Sequence, residues 1–473
     1  MHRRTFLRKA SSATAVGWAG AASTVGLAGC SGREPPSIAT DDIPTPPADR
    51  RPPATPVGGN ATEQSVESVA QSWGFDDVVD LDEAGADTGG VRPVDDVLAD
   101  HATDDTLVYL PPGRYRLTES FALADSRLGI VGHDATIVPA EGFSDTLFGL
   151  GWPEPMSDVF VSGVAFDFTA PDTGGRPIYA AADDRVVLRD VVVRGEVDVR
   201  QDLLRIDVTS ETGTGLVERL ALPDGALPGT GVTGCEVGDG NRGDVSFVNC
   251  HVEGFPDNGL YADPPAGSVE VHGGYFRNNG VAGVRIETNE DSVVRGAYVL
   301  CDEAEGSGEN MRGIRLRAGN SLLVEDCVVE LLEVTESDGA VTFASELESA
   351  TVRNCRLRVD ADGVNAIRVK SPNRSAPGDT QRGPFRCEQV AVTGSASGGA
   401  AIQAANRQGC EFHHVCVTQD GDDRDGVRAD NVDGELVNAR IAVTGDPLSF
   451  RNSTIRRRNV SVSRRPNARG ACR

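Results

Sequence analysis

From about residue 245 to residue 443 the chain alternates apolar and polar residues in short runs, and seven of these runs are copies of one another. They read Gly259-Leu-Tyr-Ala-Asp263, Gly283-Val-Arg-Ile-Glu287, Gly313-Ile-Arg-Leu-Arg317, Ala340-Val-Thr-Phe-Ala344, Ala366-Ile-Arg-Val-Lys370, Ala401-Ile-Gln-Ala-Ala405 and Gly426-Val-Arg-Ala-Asp430. Their starts lie 24, 30, 27, 26, 35 and 25 residues apart. A period in this range marks stacked supersecondary units, each too small to bury its own apolar face. Alternation with period two makes each run a strand. Its second and fourth residues face inward, and its third and fifth face outward.

A second track runs between these copies: Val245-Ser-Phe-Val-Asn-Cys-His-Val252, Val269-Glu-Val-His-Gly-Gly-Tyr-Phe276, Leu322-Leu-Val-Glu-Asp-Cys-Val-Val329, Thr351-Val-Arg-Asn-Cys-Arg-Leu357 and Leu436-Val-Asn-Ala-Arg-Ile441. Here the alternation slips by one residue at Asn249, Gly273, Asp326, Asn354 and Asn438. A phase slip in a period-two pattern requires a bend. Asn, Asp and Gly are the residues that best tolerate the left-handed conformation such a bend uses. Each repeat therefore reads as strand, loop, strand, one-residue bend, strand, loop.

This pattern resembles the right-handed parallel β-helix of the pectate-lyase-like superfamily, in which three strands per coil stack into three parallel sheets and Asn often stacks at the second bend. The predicted fold class is all-β, a right-handed parallel β-helix (solenoid) of roughly a dozen coils about 4.8 Å apart. Weaker copies reach back through Val159–Phe166 and Val186–Val193, and Leu107–Leu117 resembles the superfamily's YxPPGxY opening strand. Val94, Val97 and Leu98, with His101 on the same side, predict a short helix that caps the open end of the solenoid.

The first residues read as targeting signals. His2–Lys9 resembles a twin-arginine export signal, and Leu27-Ala-Gly-Cys30 resembles a lipoprotein cleavage box with lipid on Cys30. Pro pairs at 35–36, 46–47 and 52–53 make the following stretch a semi-extended tether. The predicted organisation is signal peptide 1–29, anchored linker 30–65, cap and opening strand 66–120, β-helix 121–446, and last coil with basic tail 447–473. The expected location is the outer face of the cytoplasmic membrane.

Charge narrows the partners. The chain carries 45 Lys and Arg against 71 Asp and Glu, a net −26. Loss of residues 1–29 removes Arg3, Arg4, Arg8 and Lys9 and takes this to −30. Such a charge disfavours nucleic acid. Lys370 is then the one remaining Lys, and an acidic, Lys-poor composition resembles proteins of salt-loving microbes. Past Asp446 the sign reverses, with no acid and eight Arg. That stretch reads as a last coil and tail neutralised by the acidic body. Cys250, Cys327 and Cys355 share an inward register, and Cys327 and Cys355 lie on adjacent coils where a bridge could form. His413-His414 reads as a structural pair facing opposite ways on a strand.

In the superfamily the outer face of the first sheet commonly floors a glycan-binding groove. Here the outward third residues are Tyr261, Arg285, Arg315, Thr342, Arg368, Gln403 and Arg428, and the outward fifth residues begin with Asp263, Glu287 and Arg317 and include Ala344 and Lys370. Thr342 and Ala344 predict a notch with cations on both sides, walled by the insertions Ser371–Pro384 and Cys301–Met311. Arg forks suit the carboxylates of an acidic, uronate-type polysaccharide, so Tyr261, Arg285, Arg315 and Arg317 are the expected binding residues. A lyase would need a base and cations to stabilise an enolate-like charge. Lys370 could be that base, with Arg368 and Arg317 depressing its pKa, and Asp263 and Glu287 could hold Ca²⁺. Polygalacturonase-like hydrolases share only the Arg368-Val-Lys370 element, since Asp422-Asp423 follows it and His272-Gly273 lies on another strand. The alternative is a non-catalytic surface protein that binds glycan or a neighbouring envelope protein.

Overall fold

The computed structural model describes residues 65–304, 310–376 and 378–466. The chain winds into a right-handed parallel β-solenoid of about 13 turns, with two short helices near its start. Regular pairing begins at Asp77–Asp80 and continues to Thr454–Ser463. Three stacks of parallel strands enclose one apolar core: sheet A with strands such as Ala282–Thr288, sheet B with strands such as Val269–His272, and sheet C with strands such as Tyr275–Arg277.

Sheet A contains the seven copies in the predicted register. Tyr261 pairs with Arg285, Arg285 with Arg315, Arg315 with Thr342, Thr342 with Arg368, Arg368 with Gln403, and Gln403 with Arg428. The inward positions, such as Val284, Ile286, Ile314, Leu316, Val341, Phe343, Ile367 and Val369, are buried in the core. The fifth positions keep register less well. A bulge pairs Glu287 with Ala318, so Arg317 falls out of line, and Ala344, expected outward, is buried.

The bends between sheets B and C follow the expected chemistry. Asn249, Asp326, Asn354 and Asn438 have φ of 51°, 55°, 51° and 51°, and Gly273 has 67°. Side chains bond up this column: Asn354 donates to Asp326 at 2.6 Å, and Asn459 donates to Asn438 at 2.9 Å. These bonds offset the roughly 1–2 kcal/mol that an L-residue loses in the left-handed region. His414 also occupies this column, with φ 54° and a 3.0 Å hydrogen bond to Asn438, while His413 bonds Glu435 at 2.8 Å. His414 is thus a bend residue rather than one of a strand pair. A second column lines the bends between sheets A and B. There Asn431 donates to Asn406 and Asn406 to Ser371, both at 2.9 Å.

Helix α1 (Val66–Trp73) lays Val69 and Ala70 on Phe75, Leu107, Val131 and Phe160. Helix α2 (Asp95–His101) is the expected cap, and Val94, Leu98 and Ala102 join the main core beside it. His101 is exposed rather than on the buried side. At the other end the register sets Arg457 over the core residue Leu436, so the inward column ends on a charge. An inward-pointing charge is one way to keep an open sheet edge from pairing with another chain. Three of the terminal cations reach acids of the coil before: Arg451 to Asp430, Arg456 to Glu435 and Arg464 to Asp446.

Among the described residues two arginines are fully buried and have no carboxylate partner. Arg407 donates to the carbonyls of Ala344, Leu347 and Lys370 at 2.7–2.9 Å, and its guanidinium lies 4.6 Å from the Phe385 ring centre. Arg424 donates to Gly398 and Val364 carbonyls and to the Gln419 side chain. Burial lowers both to about 10, still well above neutrality. Each ties together backbone from more than one coil, a role outward-facing arginines cannot fill.

Cys327 and Cys355 are free thiols, so the possible bridge between them is not formed. Each donates to backbone carbonyls, Cys327 to Glu325 at 3.2 Å and Cys355 to Arg353 at 3.1 Å. Cys416 is disulfide-bonded. The twin-arginine segment, Cys30 and the Pro-rich tether lie outside the described residues.

Candidate functional site

The outer face of sheet A carries a continuous ladder of polar side chains. At its centre the notch expected at Thr342 and Ala344 is filled. Thr342 is 0% exposed. Asp338 lies on the loop leading into the Thr342 strand. Its carboxylate accepts from Lys370 Nζ at 2.9 Å and from Arg312 Nε at 2.8 Å. Burial would raise the Asp338 pKa, but the Lys370 and Arg312 hydrogen bonds outweigh it and hold the carboxyl below its ordinary range. Lys370 therefore sits on an anion rather than among cations alone, as the base reading required. Sequence reasoning missed both Asp338 and Arg312, which lie outside the repeated five-residue copy.

Arg315 and Arg368 are different. They flank Thr342 on adjacent rungs. Both are partly buried, and burial lowers both pKa values, Arg315 to about 10 with Arg312 and Arg285 adding to the effect. Yet Arg315 Nε, Thr342 Oγ1 and Arg368 Nη1 are enclosed and have no hydrogen-bond partner among the described residues. Four consecutive rungs, from Arg285 (Nε) through Arg315 and Thr342 to Arg368, thus each hold a polar atom with no hydrogen-bond partner among the described residues. Buried polar groups are normally paired, and an orphan costs about 1–3 kcal/mol.

The other predicted residues pair among themselves. Arg285 stacks 4.0 Å from the Tyr261 ring centre and donates to Glu287 at 2.9 Å. Tyr261 donates to Asp263 at 2.6 Å. Arg317 forms an ion pair with Glu346. Asp263 and Glu287 are therefore already engaged by Tyr261 and Arg285, and among the described residues no three His, Cys, Asp or Glu side chains converge for a metal.

Of the two expected walls, Ser371–Pro384 docks through Asn373. Its backbone donates to the Ser345 carbonyl at 2.7 Å, and its side chain donates to Glu346 at 3.2 Å. In the other wall, residues 305–309 lie outside the described residues.

The ladder extends further toward the N-terminus than the clear repeats do. Tyr261 pairs with Glu236, Glu236 with Arg205, and Arg205 with Tyr179. Arg205 holds Glu236 at 3.2 Å and Asp207 at 2.9 Å. Burial raises the Glu236 carboxyl against the opposing Arg205 charge, and burial likewise raises Asp257 against Arg285. Degenerate copies before residue 245 hid this half of the face from the sequence pattern.

No family model matches the chain, and no curated protein matches it. Solved structures with a related course include a surface adhesin of Streptococcus pneumoniae (12% identity, 82% of this chain and 93% of that chain, TM-score 0.48). Another is the A-module of a mannuronan C-5 epimerase of Azotobacter vinelandii (15% identity, 81% and 98%, TM-score 0.41). A third is the catalytic unit of an α-1,3-glucanase from Streptomyces thermodiastaticus (14% identity, 81% and 68%, TM-score 0.38). At such scores the likeness carries no argument about activity. The outer face of sheet A must be read from its own chemistry.

Proposed function

We propose that the protein binds an acidic, uronate-type polysaccharide on the outer face of sheet A, with a ligand carboxylate seated across Arg315, Thr342 and Arg368 once the groups that cover Thr342 move aside. The observation that carries this reading is the row of unpaired polar atoms on those three rungs. Arginines are rarely buried unless paired, and a guanidinium fork fits a carboxylate with two parallel hydrogen bonds. Among the described residues Asp338 is the carboxylate whose charge acts on both Arg315 and Arg368, and Lys370 and Arg312 already take it up. A carboxylate from outside would supply the missing acceptor. Tyr261 and Arg285, on neighbouring rungs, offer further contacts to the chain.

Cleavage by lyase chemistry is the sharper form of the proposal. The same cations would stabilise charge gathering on the uronate carboxylate as the adjacent proton leaves. Lys370 could take that proton only after exchanging its hydrogen bond to Asp338. That engagement favours binding without cleavage as the second reading. A Ca²⁺ ion held by Asp263 and Glu287 would require them to exchange their bonds to Tyr261 and Arg285. The N-terminal motifs support export by the twin-arginine route and lipid attachment at Cys30, which would hold this face outside the membrane.

Calorimetry of the purified protein with linear uronate polymers in molar salt tests the site. Arg315→Ala and Arg368→Ala should each weaken binding at least tenfold, and binding at wild-type strength in both would overturn it. The ultraviolet absorbance of an unsaturated product separates the two forms. Lyase activity that persists in Lys370→Ala would remove Lys370 as the base.

A further inference from the structure

The ladder changes character at its N-terminal end. Beyond Tyr179 its next rungs are Gly149 and Ala122, the smallest side chains on the face. Trp152 follows the strand Thr146–Leu150 and turns back over this bare floor. Its Cβ lies 3.8 Å from where a side chain on Gly149 would begin. The indole meets the Tyr179 ring edge-on, with ring centres 6.1 Å apart and planes at 86°. This is a favoured aromatic geometry that fixes the ring. Trp152 nevertheless remains 63% exposed, the one large aromatic so exposed among the described residues. A fixed, solvent-facing ring beside a rigid neighbour suits the apolar face of a sugar ring.

We propose that Trp152 and Tyr179 form a sugar-stacking subsite on the same face as the Arg315–Thr342–Arg368 anion site, so that one glycan chain spans both. This rests on the reading of sheet A as an acidic-glycan surface. The two subsites share one continuous register. Tyr179, Arg205, Glu236, Tyr261, Arg285 and Arg315 are successive rungs. Five steps of about 4.8 Å separate the stacking rung from Arg315, roughly 24 Å, which is the length of several sugar residues. Between the ends, Arg205 is paired with Glu236 and Arg285 with Glu287, so the charged groups of this stretch already have partners. The surface therefore selects for length, because only an extended oligomer reaches the ring and the cations together.

The test is calorimetry with linear oligogalacturonates and oligomannuronates from dimer to octamer, on wild type, Trp152→Ala and Trp152→Phe. Wild-type affinity should climb with length and gain at least tenfold once both ends are spanned. Trp152→Ala should bind short oligomers as wild type does and lose that gain, and Trp152→Phe should restore part of it. Because Trp152 is exposed, an unchanged melting temperature would show that the fold is intact. Long oligomers binding equally to wild type and Trp152→Ala would overturn the stacking subsite and leave the anion site standing. A wild-type protein that binds no uronate oligomer of any length would overturn both.

Discussion

Arg407→Met isolates the contribution of a buried charge that has no carboxylate. The Arg407 side chain is fully buried and satisfies three carbonyls, those of Ala344, Leu347 and Lys370. Methionine keeps much of the apolar volume and removes all three donors. Each orphaned buried acceptor costs about 1–3 kcal/mol. Removing the guanidinium also removes its own desolvation penalty, which offsets part of that sum. Breaking a buried polar arrangement from one side typically costs about 3–5 kcal/mol, and that is the expected loss here. Urea unfolding followed by circular dichroism measures it. Hydrogen exchange localises it, because stability in a solenoid is set largely coil by coil. Amides around Ala344, Leu347 and Lys370 should lose protection before those near α2. The same carbonyls lie in or directly after the strands that carry Thr342 and Arg368, so glycan binding should weaken as well. A loss under about 1 kcal/mol, with unchanged protection at residues 344–370, would refute the claim that Arg407 holds these coils together.

Three further outcomes follow from the same geometry. Asp338→Asn removes the shared counter-ion of Lys370 and Arg312. It should lower the melting temperature through a loss of about 1–3 kcal/mol while tightening binding of a uronate oligomer, read by calorimetry. Because the folded carboxyl lies below its ordinary value, its stabilisation is complete above about pH 3.9 and is lost as pH falls through the folded pKa. Asn354→Ala should cost about 2–3 kcal/mol, since Ala meets the left-handed penalty and also loses the bond to Asp326. Asn354→Gly should cost visibly less, and equal losses in urea titrations would discount the backbone argument. The seven buried free thiols should resist a thiol reagent in the folded protein and react on unfolding. Burial raises Cys250, Cys301 and Cys410 to about 12. These groups therefore favour folding below about pH 8.5, and that contribution fades as pH climbs toward 12.

Fold and register were legible because a period-two pattern leaves little freedom. Once Val284 and Ile286 face the core, Arg285 must face out, and stacking identical copies fixes which outward residues are neighbours. The bend column was legible for a similar reason, since only a few side chains sit easily at positive φ. His414 escaped because His is an uncommon choice there, and its place in the column shows only once Asn438 is stacked beside it. The buried arginines had no such signal. Arg407 and Arg424 lie in the connections between strands, where the alternation that separates inside from outside has lapsed. An Arg there reads as solvated until its carbonyl acceptors are known.

The site shows the same boundary between pattern and geometry. Arg285, Arg315, Thr342 and Arg368 were placed correctly from the repeat, because each occupies the same position of its copy. Asp338 was not, although it decides what the neighbouring cations can do. It sits in a loop, so its distance from Lys370 depends on how that loop folds back over the sheet. A ladder of cations read from sequence suggests mutual repulsion and a depressed lysine. One carboxylate at 2.9 Å from Lys370 and 2.8 Å from Arg312 gives those two residues a shared partner and leaves Arg315 and Arg368 without one among the described residues. The unpaired positions, rather than the number of charges, mark where an external carboxylate would gain most. On this argument the discriminating substitutions are at 315, 342 and 368, and Thr342→Val is the sharpest of them. It keeps the shape of the rung and removes only the hydroxyl. It should therefore stabilise the free protein slightly, by relieving an orphaned group, while weakening glycan binding. A Thr342→Val protein that is less stable and binds at full strength would show that the hydroxyl serves the fold and not the ligand.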